Sequence, residues 1–227
     1  MNAQIKSKQR VADYGEVLTS PEIVNAMLDL VKQETERIDS RFLEPACGTG
    51  NFLAEVLSRK LYVVEKKYRR SQLEFERNLV LAVSAIYGID ILQDNVIACR
   101  QRLFDMAYEK YVTLFKMKAK TELPRSLRFV LERNILWGDA LTLKTPEDPA
   151  QPIVFSEWTF PFHNSLIKRR DFVFAALFPS EQKDRRQMGL FSRNRLSSDL
   201  GEDVFIPAET RDYKPVHFLK LGEKDDQ

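Results

Sequence analysis

The sequence has little of what marks a secreted, membrane-bound or polyanion-binding protein. It carries two cysteines, Cys47 and Cys99, too few for a disulfide framework and without the paired spacing of a zinc site. No apolar run approaches the length of a membrane span or the hydrophobic segment of a signal sequence, so a reducing cytoplasm is the expected compartment. Charge of one sign is also missing. Thirty-five Lys and Arg face 33 Asp and Glu, a net charge of +2, which removes bulk electrostatics as an argument for nucleic-acid binding. What is present is ordinary for a globular chain: 44% hydrophobic residues over 227 positions, enough to bury the core of one α/β domain.

The chain is organised around the stretch from Arg41 to Leu53, Arg-Phe-Leu-Glu-Pro-Ala-Cys-Gly-Thr-Gly-Asn-Phe-Leu. Phe42 and Leu43 read as a short strand, and Pro45 ends regular pairing. Gly48 and Gly50 permit positive φ and a close backbone approach, and Asn51 starts a helix. Such a turn aims main-chain N–H groups into a concavity where the polar part of a ligand can sit. Neither Lys-Ser nor Lys-Thr follows the glycines, which disfavours a phosphate-binding P-loop, and the third glycine of a dinucleotide fingerprint is absent.

Two further units repeat the strand-then-acid pattern. Ala85-Ile86-Tyr87-Gly88-Ile89-Asp90-Ile91 is a strand closing on Asp90, and Asn134-Ile135-Leu136-Trp137-Gly138-Asp139-Ala140-Leu141 closes on Asp139. An acidic residue after the second strand commonly holds ribose hydroxyls. Glu65 lies nearer the usual spacing, but Asp90 ends the cleaner strand and is preferred. Upstream, Thr19 or Ser20 caps a helix with Pro21 at its first position, Glu22 in its first turn and an apolar stripe of Ile23, Val24, Met27, Leu28 and Val31. Between these units the sequence predicts a helix from Asn51 to Lys60, a brief apolar run at Leu61 to Val64 and an inserted helix over 66–83. A long helix from Asp94 or Asn95 to about Lys118 follows, with its basic residues spread over a solvated face.

The segment Glu44-Pro45-Ala46-Cys47-Gly48-Thr49-Gly50-Asn51-Phe52-Leu53 resembles the S-adenosylmethionine-binding loop of the adenine-specific (N6) DNA methyltransferases of restriction-modification systems, particularly the type I and type IIG groups. Tyr14 to Pro21, Tyr87 to Ile91 with Gln93 to Val96, and Asn134 to Leu141 are similar to that family's other cofactor motifs and occur in the same order. The resemblance extends from about Tyr14 to Leu141, some three-fifths of the chain, with Ser20 standing where the family usually has proline. The resemblance implies a Rossmann-like, doubly wound, mostly parallel α/β sheet whose loops open at its carboxyl edge. It implies S-adenosylmethionine as cofactor, held by Thr19, Glu44, Ala46, Cys47, Gly48, Gly50, Asn51, Phe52, Asp90, Ile91, Asp139 and Ala140. Within that set Asp139 accepts from the adenine amino group of the cofactor. It further implies DNA as partner and methyl transfer to the amino group of a flipped-out adenine.

The resemblance stops at the acceptor. The family's catalytic tetrapeptide, Asn or Asp, then Pro-Pro-aromatic, occurs nowhere in the chain. In its place lies Ile153 to Asn164, whose Thr159-Phe160-Pro161-Phe162 offers only a threonine hydroxyl as acceptor, beside a lone His163 that reads as packed or exposed. The alternative is therefore a non-catalytic cofactor-binding or assembly module of restriction or phage defence, or a subunit completed by a protein partner. Methyl transfer to RNA, protein or a small molecule also stays open, since the fold does not set the substrate. Phe172 to Phe178 is an apolar run that periodicity cannot divide between helix and strand. The expected organisation is a cofactor-binding domain over 1–179, a polar basic linker over 180–203, and a C-terminal segment over 204–227 that docks on the same domain.

Overall fold

The computed structural model describes residues 9–10, 19–161, 164–177, 195–197, 203–205 and 211–223. Helix α1 (Pro21–Asp29) begins at Ser20, whose backbone is extended and whose carbonyl accepts from Val24 N at 3.0 Å. The short helix α2 (Lys32–Thr35) leads to strand β1 (Phe42–Glu44). Helix α3 (Asn51–Tyr68) follows and runs straight through the apolar stretch Leu61 to Val64. Leu57, Leu61 and Val64 are buried at helical spacing, so those residues continue one helix face rather than forming a separate element. The inserted helix starts later than expected. Helix α4 (Gln72–Ser84) is set off by Ser71, whose hydroxyl accepts from Glu74 N.

Strand β2 (Ile86–Asp90) is buried throughout, helix α5 (Gln93–Phe115) follows, and helix α6 (Leu123–Asn134) runs directly into strand β3 (Ile135–Trp137). The three strands are parallel in the order β1-β2-β3, with Phe42 opposite Ile86, Glu44 opposite Gly88, Gly88 opposite Ile135 and Asp90 opposite Trp137. Ile86 and Ile135 belong to a core shared with residues of α3 to α6, including Leu53, Leu57, Phe75, Leu79, Leu103 and Leu127. Tyr87 and Ile89 point to the opposite face and pack with Ile153, Phe155 and Phe174. Helices therefore cover one face of the sheet, as consecutive right-handed crossovers in one direction require.

The other face is covered by a hairpin. Strand β4 (Val154–Thr159) pairs antiparallel with β5 (Leu166–Val173), and the strand ends in a 3-10 turn, Phe174–Leu177. The run from Phe172 thus divides into strand and turn. Ile153 lies against Gly138 and Ile89, at the carboxyl edge of the parallel sheet, and the Tyr87 hydroxyl donates to Ser156 O at 3.0 Å. Further on, Trp158 Nε1 donates to Asn134 Oδ1 at 2.9 Å, just before β3 begins. β4 therefore runs against the direction of β1 to β3. Among the described residues the strand order does not reverse beside β1, so the expected second winding of the sheet is not formed there.

Near the C-terminus, strands β8 (Arg211–Asp212) and β9 (Val216–His217) pair with β5, and Phe218, Leu219 and Leu221 enter the helical core. Strands β6 (Arg195–Ser197) and β7 (Asp203–Phe205) pair with each other, and the remainder of the 180–203 segment lies outside the described residues. No helix among the described residues is long and apolar enough to cross a membrane, and no group of three or more His, Cys, Asp or Glu is placed to hold a metal ion.

Candidate functional site

Parallel pairing puts the ends of all three strands, and the loops after them, on one edge. The loop after β1 is tied to β2: Cys47 N donates to Ile89 O at 2.9 Å, and Gly48 N donates to Asp90 Oδ2 at 2.8 Å. The turn closes through Gly50 N on Cys47 O at 2.8 Å, with φ +52° at Gly48 and +84° at Gly50. A Cβ at Gly50 would stand 2.7 Å from Cys99 Sγ, and one at Gly88 2.9 Å from Leu53 and 3.1 Å from Cys47. Glycine is thus needed where the loop is pressed onto β2 and α5. Gly50 heads α3 with no side-chain cap and no acid in the first turn, so the positive end of the helix dipole is left to whatever occupies this edge.

Asp90 is 7% exposed. Besides Gly48 N, its carboxylate accepts from Leu92 N at 2.9 Å and Asn95 Nδ2 at 3.2 Å, so its first task is to pin the glycine loop. Asp139 caps its own turn, with Oδ1 accepting from Leu141 N at 2.8 Å and Oδ2 from the Thr142 hydroxyl at 3.0 Å. The Leu141 amide holds its pKa below the ordinary value. Gly138 N on Asp90 O at 3.0 Å and Trp137 Nε1 on Ile91 O at 2.9 Å join the third loop to the second.

Glu44 differs from both aspartates. Among the described residues it accepts one bond, from Ala46 N at 3.4 Å, and burial pushes its pKa above the ordinary value. Its second oxygen is available to a ligand. The Cys47 thiol is turned inward, where hydrogen bonding with Cys99 and burial push its pKa up, leaving only its main chain to the edge. Ala46 is exposed, Phe52 and Ala140 are half-buried, and Ile91 is 45% exposed.

The Thr19 carbonyl accepts from Asn51 Nδ2 at 3.0 Å, which seats the start of α1 beside the start of α3. Arg10 reaches Asp94 at 2.8 Å and Asn95 Oδ1 at 3.2 Å, at the head of α5. The expected motif residues 14–18 lie outside the described residues, though the flanking residues Arg10 and Thr19 are both anchored at this edge. Arg102 is a further residue that spacing did not reveal. Its guanidinium donates to Asn51 Oδ1 at 2.7 Å and points toward Thr49 O at 3.5 Å, through the packing of α5 on α3.

The edge thus gathers the Thr19 carbonyl, the glycine loop, Asp90 and Asp139. It does not gather Thr159 and Phe160. Thr159 pairs with Lys168 and Phe160 packs edge-on to Phe218, at the far end of β4; Phe162 and His163 lie outside the described residues. Glu65, the alternative sugar acid, sits within α3 and pairs with Lys110 at 2.7 Å. No protein-family model matches the chain, and neither curated proteins nor solved structures yield a match.

Proposed function

We propose that the carboxyl edge binds S-adenosylmethionine and that the chain is the cofactor-binding part of an adenine DNA methyltransferase-like protein. The observation that carries this reading is the Gly48 to Asp90 hydrogen bond, which brings the first two motifs into one wall beside the uncapped start of α3. Three parallel strands in the order β1-β2-β3 correspond to one half of a doubly wound sheet.

The residues present fit this ligand. The main chain of Ala46 to Gly50 meets the polar end, and Glu44, half-buried and with an oxygen available, receives its positive charge. Ile91 and Ala140 offer apolar contact to the base, and Asp139 offers acceptor positions to its amino group. When bound, S-adenosylmethionine supplies an electrophilic methyl group. Transfer to adenine in DNA needs acceptors on the target amine and a stacking side chain, and Thr159 and Phe160, which stand where the family has its catalytic tetrapeptide, are not at this edge. That observation favours a second reading, in which the chain binds the cofactor without catalysis, as a sensing or assembly module in restriction or phage defence or as a subunit completed by a partner.

Calorimetric titration with S-adenosylmethionine tests the cofactor. Wild-type protein is expected to release heat on binding, and Gly48→Val, which forces a β-branched residue into positive φ, is expected to weaken binding at least 10-fold. A wild-type titration without heat sinks the assignment. Radiolabel transfer to unmethylated DNA then separates the enzyme from the binding module.

A further inference from the structure

The Arg10 side chain reaches the head of α5, 84 positions away in sequence, and meets two neighbouring residues there. Its guanidinium donates to both Asp94 oxygens, at 2.8 and 3.2 Å, and to Asn95 Oδ1 at 3.2 Å. The two contacts differ in kind. The Asp94 side chain is 58% exposed, and an ion pair so open to water contributes little. Asn95 is buried, and its Nδ2 donates to Asp90 Oδ1 at 3.2 Å.

Asn95 therefore stands between a group that only donates and a group that only accepts. A guanidinium has no acceptor, and an ionised carboxylate has no donor. One orientation of the amide serves both, with its oxygen toward Arg10 and its NH₂ toward Asp90. The reversed amide sets NH₂ against guanidinium and carbonyl against carboxylate, at a buried position where mismatched polar groups are costly. The second oxygen of the same carboxylate accepts from Gly48 N at 2.8 Å. A chain of hydrogen bonds thus runs from Arg10 through Asn95 and Asp90 to the glycine loop.

We propose that Arg10 is a positioning residue for that loop. Arg10 fixes the Asn95 amide, the amide orients the Asp90 carboxylate, and the carboxylate holds Gly48. The competing role is a clamp, in which Arg10 ties its own segment to α5 through Asp94 and has no hold on the loop. The consequence for ligand binding rests on the S-adenosylmethionine reading above, whereas the relay itself is a property of the protein without ligand.

Amide hydrogen exchange of the ligand-free protein tests the relay. Arg10→Ala is expected to speed exchange at Gly48, whose N–H bonds Asp90, by roughly 5-fold. Cys47, whose N–H bonds Ile89 O instead, is expected to keep its rate. Asp94→Asn, which removes the charge pair but keeps an acceptor for Arg10, is expected to change neither. In Asp90→Asn one amide oxygen cannot serve both Asn95 and Gly48, so the relay is already cut and adding Arg10→Ala should give no further acceleration. An unchanged Gly48 rate in Arg10→Ala, or additive effects of the two substitutions, overturns the proposal. Equal acceleration at Gly48 and Cys47, or an Asp94→Asn effect as large as that of Arg10→Ala, overturns it in favour of the clamp. Calorimetry is expected to show Arg10→Ala binding S-adenosylmethionine roughly 5-fold more weakly than wild type, and equal affinities overturn the role in binding. A wild-type protein that takes up no S-adenosylmethionine sinks the cofactor assignment alone, because the exchange measurements are made without it.

Discussion

Replacing Asp90 by Asn separates two roles that the sequence alone merges. The carboxylate accepts from Gly48 N at 2.8 Å, Leu92 N at 2.9 Å and Asn95 Nδ2 at 3.2 Å, on two oxygens. An amide has one acceptor oxygen and a donor group in place of the other. If the oxygen keeps Gly48, the NH₂ faces two donors; if it keeps Leu92 and Asn95, the NH₂ faces Gly48. The Asn95 side chain can turn its amide in compensation, but its oxygen already accepts from Arg10. At least one charge-assisted bond is lost at a buried site, and each such bond contributes roughly 1.5–3 kcal/mol. With the donor-to-donor contact added, the expected loss is about 2–4 kcal/mol, a large part of the ~5–15 kcal/mol typical of a folded chain. Urea unfolding followed by circular dichroism should show the midpoint falling by roughly 1 M at unchanged slope. S-adenosylmethionine affinity, measured where the variant is folded, should fall with it because the glycine loop is no longer pinned. Unchanged stability with lost affinity would refute the loop-anchoring argument and make Asp90 a direct ligand acid.

Gly50→Ala should destabilise by about 2–4 kcal/mol, from positive φ and overpacking against a fully buried sulfur. Adding Cys99→Ala should recover about 1–2 kcal/mol in thermal unfolding, and no recovery would mean the contact is not the cause. Glu44→Gln should raise stability at neutral pH while lowering S-adenosylmethionine affinity by roughly 5- to 10-fold, about 1–1.4 kcal/mol. The sign follows from burial, which raises the folded-state pKa. Between the ordinary value of 4.5 and the raised one the folded state holds more protons than the unfolded chain, so wild type gains stability as pH falls through that window and the Gln variant does not. Lys60→Met should cost about 2–4 kcal/mol by leaving three carbonyls without their donor, those of Arg37, Ile38 and Ser40 at 2.6, 3.1 and 2.7 Å. Burial lowers the Lys60 pKa to about 8 from 10.5. The unfolded chain then holds the extra proton between those values, so wild-type stability should rise relative to Lys60→Met as pH increases across them.

The glycine loop was legible because its constraint is local: positive φ at Gly48 and Gly50 is written in residue type. Strand β2 and its terminal acid were legible for the same reason. The boundary between α3 and α4 was not, because Leu61 and Val64 satisfy both a short apolar run and the buried face of a longer helix. Lys168, Arg169 and Arg170 gave no hint of a strand interior. They sit in one because cross-strand and near-neighbour carboxylates meet them: Asp212 at 2.8 Å, Asp171 at 2.6 Å, and Glu157 opposite Arg170. The stripe on α1, where Val24 and Leu28 are buried but Ile23, Met27 and Val31 are exposed, shows the limit in the other direction, since spacing marks an apolar face without saying whether anything covers it. Asp90 was identified as a site residue, but its attachment to Gly48, 42 positions away in sequence, depends on a register between β1 and β2 that no local pattern encodes.

The direction of β4 settles how the absent acceptor motif should be understood. In a doubly wound sheet a fourth strand beside β1 would run parallel and deliver its following residues to the ligand edge. Here β4 starts at that edge, with Ile153 against Gly138, and runs away from it. Its six residues carry the chain roughly 20 Å at ~3.3 Å per residue. Thr159 and Phe160 therefore end beside Lys168 and Phe218, under the helical core. Reacting atoms in a productive complex lie about 3–3.5 Å apart, so no rotamer of Thr159 brings its hydroxyl to within reach of the glycine loop. The weak acceptor chemistry of that segment and its placement at the wrong edge have one physical origin. The hairpin β4–β5 uses its apolar residues, Phe155 and Trp158, to cover the sheet and the base of α6. A strand committed to that packing is not free to carry a catalytic turn, so an acceptor site, where one exists, must be brought to the carboxyl edge by other residues.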